Sequence, residues 1–302
     1  MTITKFLDPK NDFAFRKIFG SEKNKDILIH FINDILGLEG GHQIQEVTFQ
    51  PTIQDPDIAS KKQSVVDVLC KAENGVHIIV AMQVSLQEGF EKRAQYYAAK
   101  ACSRQLNTGK EVGSRYIDLK AVVFIAICNN IIFKDKKAYL SRHILLDEET
   151  YSQDLKDFSF TFIELSKFKL TEIDQLSNIV EKWCYFFKYA PVTNEVDLAK
   201  IAGADQVIKR AYAELNQFNW TEAELNTYEE EVKRIMDNQA AEDYVFNQGL
   251  EKGIEKGIEK GIETRNLAIA KSMLKKGFDV DAIEEITGLT KEAIESLSKD
   301  RE

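Results

Sequence analysis

The chain has 302 residues, 44% of them hydrophobic and 29% charged, with a formal net charge of −9, which is enough apolar material for a full core and a smaller second unit. Its longest uninterrupted apolar run, Ala121–Cys128, is far short of the ~20 residues that a membrane helix needs, and no charged-then-apolar segment opens the sequence, so no membrane contact and a cytoplasmic location are expected. Cys70, Cys102, Cys128 and Cys184 contain no Cys-x-x-Cys pair and the four histidines lack metal-ligand spacing, which argues for reduced, mostly buried thiols and against zinc or disulfides.

Apolar spacing predicts helices over 11–20 (Phe13, Ile18, Phe19) and 23–36 (Ile27, Leu28, Phe31, Ile32, Ile35, Leu36), the second ended by Gly37 and Gly40-Gly41. Strands are expected at 46–53, 64–70 and 76–84, a helix near 88–107, and two further buried strands at 120–128 and 158–165. From Glu172 onward the pattern is helical: 173–189, stopped at Pro191, then 196–218, then a helix opened by Thr221 as N-cap with Glu224 in the capping-box position.

Residues 249–263 repeat a Gly-(Leu/Ile)-Glu-Lys tetrapeptide. Each Gly costs a helix ~1 kcal/mol relative to Ala, yet the period aligns Gly249, Gly253, Gly257 and Gly261 on one ridge and Leu250, Ile254, Ile258 and Ile262 on the next. That surface suits close approach of a partner helix; the plainer alternative is a charged linker. The tail has two short helices around Gly288, spaced like a helix-turn-helix. Residues 264–302 carry seven basic and eight acidic side chains, however, and 291–299 offers no Arg or Asn for base edges, so the tail reads as a packing or protein-contact unit. The expected organisation is a core over 1–170, a helical region packed on it over 171–247, the repeat over 248–263 and a small helical tail over 264–302.

The segment richest in chemistry is the β-branched hairpin 64–83. If Glu73-Asn74-Gly75 is a three-residue loop closed by Gly75 in the left-handed region, residue 72 pairs with 76 and Asp67 lies opposite position 81. Opposite residues share a face and so do residues two apart, so Asp67, position 81 and Gln83 converge. A two-residue Asn74-Gly75 loop would instead set Asp67 opposite Met82. An Asp, a second carboxylate and a polar third group are what Mg²⁺-assisted attack on a phosphodiester requires, but position 81 is alanine. His77 reads as an ordinary strand residue beside the turn. Residues 61–120 hold ten basic side chains against six acidic ones, +4 within a chain of −9, so the basic segment coincides with the motif and suits a DNA-facing surface. Lys92, Arg93 and Arg104 are its candidate phosphate contacts; Arg93, Tyr96 and Tyr97 could alternatively support Gln83, although the tyrosines have core spacing.

Together with Asp8-Pro-Lys-Asn-Asp12-Phe-Ala-Phe-Arg-Lys17-Ile-Phe-Gly20 and Phe90-Glu-Lys-Arg93-Ala-Gln-Tyr-Tyr97, this pattern resembles the Rpn group of recombination-promoting nucleases, also classed as transposases, over roughly residues 5–265. That group is similar to restriction endonucleases in its PD-(D/E)XK core, with Glu-x-Gln in place of Glu-x-Lys. The resemblance implies an α/β fold, a restriction-endonuclease-like mixed sheet flanked by helices, which the order α-β-β-β-α-β fits, followed by a helical C-terminal region. It also implies an Mg²⁺- or Mn²⁺-dependent DNA endonuclease whose metal is held at positions 67 and 81. Asp67, position 81 and Gln83 would form the catalytic set, with Asp12 from the first helix as a fourth participant. Ala81 stands where the family has Glu, so this copy is expected to be catalytically impaired; the alternative is a non-catalytic, oligomeric DNA-binding or regulatory protein. Self-association through the repeat, and inhibition by a separate C-terminal fragment, complete the expectation.

Overall fold

The computed structural model describes residues 5–54, 64–85, 88–106, 116–203 and 205–299. Asn11 caps helix α1 (Asp12–Phe19), its side chain accepting from the amides of Phe13 and Ala14, two of the donors a helix start leaves open. Helix α2 (Lys25–Leu36) ends where Gly37 adopts φ +68°, a conformation open to glycine at little cost. Next come β1 (Val47–Phe49), β2 (Ile53–Gln54), β3 (Ser64–Val65), β4 (Val68–Ala72), β5 (His77–Gln83), α3 (Phe90–Arg104), β6 (Val122–Cys128), β7 (Leu140–Ile144) and β8 (Phe158–Glu164).

Six strands form one mixed sheet in the order β1-β4-β5-β6-β8-β7, while β2 and β3 make a separate antiparallel pair. β5, β6 and β8 run parallel at its centre, and β1, β4 and β7 are antiparallel to their neighbours. The period of two divides the core. Ile78, Val80 and Met82 of β5 join a large cluster with Phe15, Phe19, Phe31, Trp183 and Phe187, whereas Ile79 and Ala81 face Ala94, Ala98 and Ala101 of α3. The small face of α3 lets that helix lie close over the sheet.

Several elements depart from the sequence expectation for local reasons. The strand expected at 64–70 is broken by a bend at Asp67, and the one expected at 46–53 pairs with β4 only over Val47–Phe49. The unanticipated β7, Leu-Ser-Arg-His-Ile, is a half-polar strand at the sheet edge, bonded among the described residues to β8 alone, so it lacks a buried strand's continuous apolar run. Ile173–Gln175 is a 3₁₀ turn, and α4 (Ile179–Tyr189) starts afresh at Asn178, whose side chain accepts from the Glu181 amide. Gly203 (φ +51°) ends α5 (Glu195–Ala202), and Asp205 caps α6 (Gln206–Glu214). The capping box forms as expected: the Thr221 amide donates to Glu224 Oε2 at 2.9 Å and the Glu224 amide to Thr221 Oγ1 at 3.3 Å, opening α7 (Glu222–Lys275). α8 (Val280–Thr287) and α9 (Lys291–Lys299) complete the described residues. Tyr96 is exposed and not a core residue.

Two compact units result, Met1–Lys233 and Arg234–Glu302. In the first, α4 and α6 pack with α1 and α2 on one sheet face. In the second, Ala270, Ile283 and Ile294 form a small core, and the repeat is helical with Ile254, Ile258 and Ile262 more than half exposed. Among the described residues no helix is long and apolar enough to cross a membrane.

Candidate active site

The turn after β4 decides what can meet. The Ala72 amide bonds the Val76 carbonyl at 2.9 Å, the Gly75 amide bonds the Ala72 carbonyl at 2.9 Å, and Gly75 takes φ +90°. The β4–β5 ladder pairs Val68 with Val80 and Lys71 with His77, so the same register carried one residue further sets Asp67 opposite Ala81. Asp67 Oδ2 accepts from the Met82 amide at 2.8 Å.

Asp67 is only 17% exposed at its side chain. Burial pushes its pKa up, the neighbouring Asp12 charge adds to that, and the Met82 amide and Arg16 oppose it. Arg16 Nη2 lies 3.4 Å from Asp67 Oδ1. One helical turn separates Asp12 from Arg16, so α1 presents an acid and a base together to Asp67. The sequence reading missed Arg16; its signal was the four-residue spacing from Asp12.

Gln83 lies two residues beyond Ala81, on the same face of β5. Its Oε1 accepts from Arg93 Nη2 of α3, and its Nε2 donates to the Ser85 carbonyl at 2.5 Å. The Arg93 guanidinium stacks 5.0 Å from the Phe90 ring centre. Arg93 thus ties α3 to Gln83. Lys92 is exposed, and Arg104 ends the helix roughly 16 Å from Arg93 at 1.5 Å per residue.

Position 81 contributes a methyl group, 7% exposed. Among the described residues no three His, Cys, Asp or Glu side chains are grouped so as to hold a metal ion. Asp67 with Asp12 is too small a carboxylate set for a firmly held hard cation that prefers six or more oxygens, so the residues present do not fit a resident metal at 67 and 81. Their chemistry stops at two acids, one of them restrained by Arg16, beside an immobilised amide.

A mixed sheet flanked by helices, with an Asp and an x-Gln pair facing each other across its central hairpin, defines a restriction-endonuclease-like protein. Residues 9–245 match the model of the PD-(D/E)XK nuclease family transposases, and the chain belongs to that family. Residues 263–299 match the Rpn/YhgA-like nuclease family C-terminal helix-turn-helix domain. The match assigns the tail, read from sequence as a packing unit, to the helix-turn-helix class; Lys291 at the start of its second helix is already paired with Asp281. No curated protein and no solved structure matches the chain.

Proposed function

We propose that this protein is a cytoplasmic DNA endonuclease scaffold whose family activity is a backbone break that promotes recombination, and that this copy is impaired at Ala81. The observation that carries the reading is the placement of Asp67 opposite Ala81, with Gln83 on the same face and fixed by Arg93. With Glu at position 81, Asp67 and that Glu would hold Mg²⁺ or Mn²⁺, the ion supplying Lewis acidity. Gln83 would orient a water or a phosphate oxygen but can supply neither charge nor proton at neutral pH. Asp12 would tune Asp67 by charge repulsion.

Plasmid nicking in Mg²⁺ or Mn²⁺ tests this. The chain as it stands is expected to be nearly inert, and Ala81→Glu is expected to raise cleavage at least 10²-fold. Equal, robust nicking by both forms removes the role given to position 81. Inactivity of both favours the second reading, a non-catalytic DNA-binding or regulatory oligomer, which the small carboxylate set and the exposed repeat ridge support.

A further inference from the structure

We propose that the cavity at the far end of the same sheet face is a binding site for a phosphate group, carried by a nucleic-acid backbone or by a free nucleotide. The cavity measures about 420 Å³ and is lined by Lys71, His77, Arg104, Asp118 and Lys120 over a floor that includes Leu69 and Ala101. Among the described lining residues, three permanent cations and one carboxylate face the cavity. Among the described residues neither Lys71 nor Lys120 forms an ion pair.

Several features hold those charges in place. Gln105 clamps the Lys120 backbone, donating to its carbonyl at 2.9 Å and accepting from its amide at 2.8 Å. The Lys120 stem lies against the turn, where a Cβ on Gly75 would come within 3.0 Å of its Cγ. His77 Nδ1 is buried without a hydrogen bond of normal geometry among the described residues, although the Gly75 backbone lies near enough to favour the charged ring. Burial first and Lys71 second nevertheless push the His77 pKa down. A dianion in the cavity would offset the charge of Lys71 beside His77 and of Arg104 and Lys120 on the same lining. The volume exceeds what a bare phosphate needs and falls in the range of small-ligand sites, leaving the apolar floor for a sugar or base.

Lys71 and His77 stand on the same pleat as Asp67, Ala81 and Gln83. The four residues from His77 to Ala81 place the cavity roughly 13 Å from the Asp67 position, a distance that a nucleic-acid backbone can bridge. That source rests on the nuclease reading; phosphate binding itself does not.

The test is NMR of the full chain with labelled histidine, in which a His77→Gln variant identifies the His77 signal. Inorganic phosphate, thymidine 5′-monophosphate and a short single-stranded oligonucleotide are titrated separately. The expected result is movement of the His77 signal alone among the four histidines, with its titration midpoint raised, and an affinity at least tenfold weaker in Lys71→Gln/Lys120→Gln, whose melting temperature stays unchanged. Response to the mononucleotide as strong as to the oligonucleotide assigns the site to free nucleotide; response to the oligonucleotide alone assigns it to the DNA backbone. A silent His77 with all three probes overturns the proposal, even if DNA binds elsewhere by fluorescence anisotropy. A responsive His77 in a chain that stays inactive as Ala81→Glu leaves the phosphate site standing and removes the nuclease reading.

Discussion

The amide of Met82 donates to Asp67 Oδ2 at 2.8 Å, so the strand carrying position 81 also grips the carboxylate opposite it. This bond holds the Asp67 side chain together with Arg16, and both lower its pKa against burial and the Asp12 charge, which prevail and leave it raised.

From that balance the sign of a stability effect follows. A carboxyl whose folded pKa lies above its unfolded value contributes stability that is full below the unfolded value, about pH 4, and is lost as pH rises through the folded value. Asp67→Asn keeps an acceptor for the Met82 amide and removes the buried charge. Thermal melts are expected to show Asp67→Asn more stable than the parent near neutral pH, the gap closing as pH falls toward about 4. In the Ala81→Glu background the same change is expected to abolish nicking. A variant that melts lower than its parent at neutral pH would make Asp67 a structural residue.

Gln83→Lys places a second cation beside Arg93, whose guanidinium bonds Gln83 Oε1. Loss of that bond is expected to cost about 1–2 kcal/mol, and a double-mutant cycle with Arg93→Gln should recover much of it, because the two sites share one contact. In the Ala81→Glu background, Gln83→Lys is expected to retain cleavage with altered metal preference. Denaturant unfolding and nicking assays read the two effects separately; additive free energies would mean that the pair is uncoupled.

DNA binding by the whole chain is expected to be weak, independent of sequence and steeply salt-dependent, because a modest basic surface binds largely through counterion release. Neutralising Lys92, Arg93 and Arg104 together should weaken it by at least about tenfold and flatten the salt slope. Anisotropy titrations at low and moderate salt check this, and an affinity unmoved by the triple change would put the DNA surface elsewhere.

The repeat offers an opposed pair of outcomes. A Cβ at Gly249, Gly253, Gly257 or Gly261 meets nothing within 4 Å, so replacing all four by Ala should raise helix stability by about 1 kcal/mol each in a solitary helix. If the Gly and Leu/Ile ridges seat a second copy, as we propose, the same change blocks close approach and dissociates it. Light scattering on the full chain, on the quadruple Ala variant and on a chain ending at Asn247 is expected to show association only in the first. A fragment starting at Met236 should form mixed oligomers with the full chain and lower nicking by the Ala81→Glu form. Equal masses throughout would make the repeat a linker and remove the inhibition idea.

Legibility in the sequence followed the range of the forces involved. The Gly75 turn, the capping box at Thr221 and the alternation of β5 are local, and the turn and the alternation suffice to put Asp67, Ala81 and Gln83 on one face. Arg16 escaped because its partner is 51 residues away, although its spacing from Asp12 hinted at a shared helix face. β7 escaped because an edge strand need not be apolar on both sides. Position on the helix after β5 leaves Arg93 two readings, a phosphate contact or a support for Gln83, and spacing alone does not express how closely the alanine face of α3 lies on the sheet, which brings it to Gln83.

Position 81 lies one residue past the end of the β4 ladder, which closes at Val68 with Val80, and is paired to Ala126 of β6 on its other side. Its backbone path is thus held by neighbours that do not depend on its side chain, and what the alanine lacks is a carboxylate in a frame that persists without it. Where the alanine codon ends in a purine, a single base change converts it to a glutamate codon.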